Sequence, residues 1–101
     1  MKYILTIALT PYHNLEELLK IFLAKDKPAY PSSLKKLQVW HAPNLNGKIR
    51  RFSLFECPDD KLYEGITGIM KRYNYYAQLE GYAFEVIPLL DEADAMKIAQ
   101  G

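Results

Sequence analysis

Asn46-Gly47 lies between two segments of alternating hydrophobicity, about Lys36 to His41 and Ile49 to Cys57, and it narrows what this chain can fold into more than any other feature. A two-residue hairpin turn needs positive φ at both central positions, which Asn tolerates and Gly adopts freely. Such a turn sets a register with His41 opposite Phe52, Trp40 opposite Ser53, Val39 opposite Leu54 and Gln38 opposite Phe55. Leu37 and Val39 then share one face with Phe52 and Leu54. Gln38 and Trp40 share the other with Arg51, Ser53 and Phe55. A slip of one residue would mix the two sets. Pro43 falls inside the projected ladder and has no N–H to give, so this strand is predicted at a sheet edge or with its pairing broken there.

The remaining elements follow from periodicity. Tyr3, Leu5, Ile7 and Leu9 alternate with Lys2, Ile4, Thr6 and Ala8 as a first strand that Pro11 ends. Asn14 followed by Glu17 is a capping-box variant, and Leu15, Leu18, Leu19, Phe22 and Leu23 form one helical stripe. The stretch KDKPAYPSS breaks any helix. Asp59 and Asp60 open a second helix with Leu62, Ile66, Ile69, Met70 and Tyr73 as its buried stripe, continuing or kinking until Gly81. Gly65 and Gly68 lie inside it and each costs about 1 kcal/mol relative to Ala, which predicts close approach to the sheet. YAFEVIPLL reads as a fourth strand and DEADAMKIAQ as a short terminal helix capped by Asp91.

The order is β-α-β-β-α-β, the split βαβ plan of an α+β, ferredoxin-like domain spanning 1–101. Right-handed crossovers give an antiparallel sheet of order 4-1-3-2 with both helices on one face. Parity places Leu5, Ile7, Leu37, Val39, Phe52 and Leu54 under the helices, together with Phe84 and Val86. Ile4, Thr6, Trp40, Arg51, Ser53 and Phe55 go to the open face, with Gln38, Glu85 and Ile87. An open face this apolar marks an interface or a pocket, and a second copy of the chain related by two-fold symmetry is its expected cover.

Composition excludes several classes. A net charge of +1 gives no strong field and argues against nucleic acid as a partner. Cys57 stands alone, so no internal disulfide is expected and a reducing, cytoplasmic setting fits. The apolar N-terminal run alternates and lacks a small-residue cleavage site, which favours a strand over a leader. No apolar segment approaches the roughly 18 residues of a membrane span.

The opening MKYILT, the WH ending the second strand, GKIRRFSLFE on the third and FEVIPLL near the end resemble an uncharacterised family of small ferredoxin-like proteins. That family's fold is similar to the dimeric α/β-barrel group, in which two open sheets pack face to face. The group includes small monooxygenases of aromatic polyketides, haem-degrading oxygenases, muconolactone isomerase-like enzymes and ligand-sensing domains of transcription regulators. The resemblance implies a fold and a dimer, with Trp40 and His41 as motif positions, and no agreed activity.

His41 is the candidate proton carrier, since imidazole titrates near neutral pH; its alternative is a hydrogen-bonded histidine at the sheet rim. His13, just after the first strand, is expected at the same end of the sheet and is a candidate ligand contact. The strands carrying the two histidines should lie about 10 Å apart, and no carboxylate at helical spacing completes a set of ligands, so no metal site is expected. Trp40 is either dimer core or, with Phe55, a flat wall for a planar ligand. Arg51 would bind a carboxylate or phenolate, with Glu85 and Ser53 beside it, unless Arg51 and Glu85 form an intersheet ion pair. Tyr73, Tyr75, Tyr76 and Tyr82 cluster near the same rim, as a pocket lid or a wet closure of the core.

Cys57-Pro58 resembles the Cys-Pro signature of haem-responsive proteins, but Pro58 is better explained as a helix entry. RRFSLFEC matches the RNA-recognition signature only at Arg50, Phe52 and Ser53, and parity buries Phe52. No nucleophile triad, phosphate loop or dinucleotide fingerprint is present, so no cofactor is expected. Two functions remain. One is a homodimer that binds, and in an enzymatic version transforms, a small planar or aromatic molecule in a pocket on the open face. The other is an interaction or regulatory module whose open face serves dimerisation alone.

Overall fold

The computed structural model describes residues 1–11, 13 and 15–101, and the side chains of these apart from 43–45. The order is β1 (Lys2–Pro11), α1 (Leu15–Leu23), β2 (Lys35–Leu45), β3 (Lys48–Cys57), α2 (Leu62–Tyr75), β4 (Ala83–Leu89) and α3 (Glu92–Ala99). Short 3-10 turns at Asp59–Lys61 and Tyr76–Gln78 flank α2. The strands form one antiparallel sheet of order β2-β3-β1-β4, the expected order read from its other edge. The layout is the ferredoxin-like α+β plan.

Asn46 and Gly47 take φ values of 54° and 76°, as the hairpin requires, and Leu45 faces Lys48 across the turn. The register then shifts between Ala42 and Leu45, the stretch that contains Pro43. Beyond it His41 faces Arg51, Trp40 faces Phe52 and Val39 faces Ser53, one residue away from the register predicted by a uniform ladder. A second shift between Lys36 and Gln38 leaves Leu37 without an opposite residue. Both expectations for Pro43 are met, because β2 is an edge strand and its pairing is irregular there.

The two faces of the sheet are reversed on β1 and β3 relative to the parity assignment. Side chains of directly paired residues share a face, so the helix-covered side reads in rows: Pro88–Ile4–Phe55–Lys36, Val86–Thr6–Ser53–Val39 and Phe84–Ala8–Arg51–His41. The open side reads Ile87–Leu5–Leu54–Gln38 and Glu85–Ile7–Phe52–Trp40. Ile4, Thr6, Arg51, Ser53 and Phe55, assigned to the open face, thus lie beneath the helices. Leu5, Ile7, Phe52 and Leu54 lie on the open one. Val39, Phe84, Val86, Gln38, Trp40, Glu85 and Ile87 are where parity put them.

Volume explains the reversal. The elements above the sheet bring bulky groups, Tyr73 and Ile69 from α2 and Tyr30 from the loop after α1, into the core with Ile4, Ala8, Phe55 and Cys57. Thr6, Ala8, Ser53 and Cys57 are small enough to sit under those rings, whereas a second layer of Leu and Phe would overfill the space. Thr6 and Ser53 are fully buried. The Thr6 hydroxyl is satisfied by a 2.9 Å hydrogen bond with the Tyr73 hydroxyl. Tyr73 also meets Phe84 edge-on at 5.6 Å between centroids.

Of the two glycines in α2, Gly65 approaches the sheet: a Cβ there would stand 3.3 Å from Ile4 Cδ1 and from Leu34 Cδ1. Gly68 faces the loop instead, where a Cβ would clash with the Pro31 ring. Met70, predicted on the buried stripe, is 48% exposed. Asp91 caps α3 by accepting from the Asp94 N–H at 2.7 Å, while Asn14 of the predicted capping box lies outside the described residues. Most side chains of α1 and all but Asp94 of α3 are exposed, with Ile21 the buried residue of α1. The radius of gyration, 15.2 Å, accordingly exceeds the roughly 13 Å of a compact chain of this length. No helix among the described residues is long and apolar enough to cross a membrane.

Candidate functional site

The stripe predicted for α1 does not close onto a packed core. Leu15, Leu18, Leu19 and Phe22 form one wall of a cavity of about 630 Å³ between α1 and the helix-covered face of the sheet. Its floor is Ala8 and Thr10 of β1, Ile49 and Arg51 of β3, and Lys36 and His41 of β2. Arg72 and Tyr73 from α2, with Tyr30, Tyr76 and Tyr82, complete it. The volume lies within the range of small-molecule sites, and the combination of an apolar wall with a few convergent polar groups is their usual chemistry.

The floor exists because the β3 row carrying Arg51 runs past Ala8, whose methyl group leaves room above the sheet. Arg51 reaches this space from β3, and its Nε is buried with no hydrogen-bond partner. Arg72 packs its guanidinium 4.6 Å from the Tyr30 ring centre and donates from Nη1 to the Pro28 carbonyl at 3.0 Å, tying the loop after α1 to α2. The Lys36 stem is exposed on the edge strand, but its Nζ lies 5.2 Å from the Tyr30 ring centre and 5.6 Å from that of Phe55. Burial of the ammonium, then repulsion from Arg51, Arg72 and Lys27, lowers its pKa to about 8. Burial pushes the Tyr30 and Tyr82 hydroxyls up, so both are protonated donors at neutral pH. Tyr76 stacks on Tyr82 at 5.5 Å.

Only some of the sequence candidates meet here. His41 and Arg51 line the cavity as neighbours in one cross-strand pair. Ser53 and Phe55 share that face of the sheet but are fully buried beneath it, outside the lining. Phe55 is therefore no open-face wall, although it underlies Lys36. Trp40, 47% exposed, and Glu85 lie on the opposite face. An Arg51–Glu85 ion pair, or a ligand held between the two, is ruled out by this separation. His13 is exposed and does not line the cavity. Of the tyrosine cluster Tyr73, Tyr76 and Tyr82 line it, and Tyr75 instead donates to Asp26 at 2.6 Å.

Lys36, Arg72 and Tyr30 were not legible as site residues. Arg72 precedes the buried Tyr73 on α2, and that adjacency was its one signal. Lys36 shares Arg51's face in a uniform ladder and again after both register shifts, so its place in the site depended on which face the helices cover, and Tyr30 sits in a loop without periodicity. Among the described residues no group of three or more His, Cys, Asp or Glu side chains is placed to hold a metal. Cys57 is buried at the far end of the sheet, paired with Lys2, and burial raises its pKa. This is no setting for an accessible thiolate ligand. Phe52 and Leu54 lie on the open face, which corrects the parity argument that burial counts against RNA. The net charge and the aliphatic centre of that face, Leu5 with Leu54 and Ile87, do count against it.

No curated protein and no solved structure matches the chain. The chain belongs to the family described as a domain of unknown function (DUF3303), whose model matches residues 1–101.

Proposed function

We propose that this protein binds a small planar or aromatic molecule in the cavity between α1 and the sheet, and that it does so as a homodimer joined through the open sheet face. The observation that carries the first half is the cavity itself: about 630 Å³, walled by leucines and Phe22 and rimmed by tyrosines. A helix stripe of this kind is ordinarily buried, yet Leu15, Leu19 and Phe22 are each 57–58% exposed around that space. Apolar surface of this extent facing a cavity is stabilised by an apolar occupant. In an enzymatic version His41, at the cavity floor, is the proton carrier.

The second half rests on the rows Leu5–Leu54 and Ile7–Phe52–Trp40, which lie on the face of the sheet opposite the core beneath α2. An exposed cluster of large apolar side chains marks an interface, and a two-fold dimer would cover it with the same cluster of a second copy. A module that uses this face for dimerisation and leaves the cavity unused is the alternative reading.

Native mass spectrometry of the purified chain, from gentle to denaturing conditions, tests both halves. A dimer carrying an adduct that is lost on denaturation is expected, and the adduct's mass identifies the ligand. A dimer that takes up no member of a panel of aromatic compounds would leave the interaction module standing and remove the binding reading.

A further inference from the structure

Three cationic side chains from three different elements converge on one cavity: Lys36 of β2, Arg51 of β3 and Arg72 of α2. No Asp or Glu side chain is among the residues that line it. The ion pairs seen among the described residues, Met1 with Asp59 and Lys2 with Asp94, use none of the three. Arg51 Nε is buried without a partner, and Arg72 spends a donor on the Pro28 carbonyl while the rest of its fork stays uncommitted to any carboxylate. Like charges gathered beside apolar walls repel one another and are poorly hydrated, which is costly for folding unless something neutralises them. The lowered pKa of Lys36 is a symptom of that imbalance. Guanidinium forks and an ammonium match the oxygens of an oxyanion, and the tyrosine hydroxyls add neutral donors.

We infer that the cavity's ligand is a small organic anion, in which a carboxylate, sulfonate or phosphate is received by Arg51, Arg72 and Lys36 and an aromatic or apolar body lies against Leu15, Leu19 and Phe22. This rests on the binding reading above and specifies the class of molecule. The arrangement selects for charge on the side of the sheet and α2 and for shape on the side of α1. A neutral aromatic of equal size fills the apolar wall but leaves the three cations uncompensated.

A matched pair of fluorescent probes tests it on the full chain: 8-anilinonaphthalene-1-sulfonate and N-phenyl-1-naphthylamine, which share an aromatic body and differ by the sulfonate. The sulfonate should bind at least about tenfold more tightly, the discrimination that one charge-assisted hydrogen bond supplies. Arg51→Met and Lys36→Met should each erode that preference, whereas Lys97→Met on α3 should leave both affinities unchanged. If Arg51→Met does not fold, Arg72→Met carries the same expectation. Equal affinity for the two probes would overturn the anion inference and leave the cavity reading intact. Binding of neither probe would overturn the cavity reading itself. A sulfonate preference that survives all three cation substitutions places the recognition elsewhere and also overturns the inference.

Discussion

The hydrogen bond between Thr6 and Tyr73 joins β1 to α2 within the core, and it can be tested by a double-mutant cycle. Both residues are buried, Thr6 completely and Tyr73 to 4% exposure, and their hydroxyls are 2.9 Å apart. Tyr73→Phe removes one hydroxyl and leaves the Thr6 oxygen buried with no other side-chain partner. The cost of stranding such a group is about 1–3 kcal/mol. For a chain of this size each kcal/mol lowers Tm by about 4–8 °C. Thr6→Val should cost less. It strands the Tyr73 hydroxyl, but the Tyr30 hydroxyl stands near enough to Tyr73 for the pair to raise the Tyr30 pKa, and valine adds an apolar methyl group to a buried site. The double variant replaces both partners with apolar groups of similar shape, so it should be more stable than the sum of the two losses predicts, by about 1–2 kcal/mol. Thermal unfolding followed by circular dichroism measures all four proteins. Strictly additive losses would refute the coupling, and with it the placement of the even-numbered residues of β1 beneath α2.

Leu54→Lys puts a charge at the centre of the open face, which is expected to convert a dimer to a monomer by light scattering; a wild-type chain that is already monomeric at tens of micromolar would refute the dimer. Lys36 also predicts a pH dependence of stability. Its pKa falls from 10.5 unfolded to about 8 folded, so between these values the unfolded chain holds more protons and stability rises with pH. The raised pKa of Tyr30 and Tyr82 acts in the opposite sense above about pH 10, where the unfolded tyrosines ionise first. The raised pKa values of the N-terminal amine and the Cys57 thiol oppose the Lys36 rise over the same range, so denaturant midpoints should climb more steeply from pH 8 to 10 in the parent chain than in Lys36→Met. A climb of the same size in Lys36→Met would assign it to another group.

The sequence by itself determined the order of elements and the topology of the sheet. Asn46-Gly47 dictated a tight hairpin because few other dipeptides adopt positive φ twice, and Pro43 marked the edge strand because it has no N–H. Gly65 against the sheet and the Asp91 cap were legible for equally local reasons. Two things were decided only in three dimensions. The first is which face of the sheet the helices cover. Both faces of β1 and β3 are apolar, so alternation fixes the two sets without saying which lies inward, and the bulk of Tyr30, Ile69 and Tyr73 selected the smaller set. The second is the site. The register shift at Ala42–Leu45 turned His41 to the same side as Arg51, and the second shift returned Lys36 to that side, while α1 stands far enough from the sheet to leave a cavity. Spacing along a chain reports the direction of a side chain only while the ladder is regular, and it carries no information on how closely a helix settles onto a sheet.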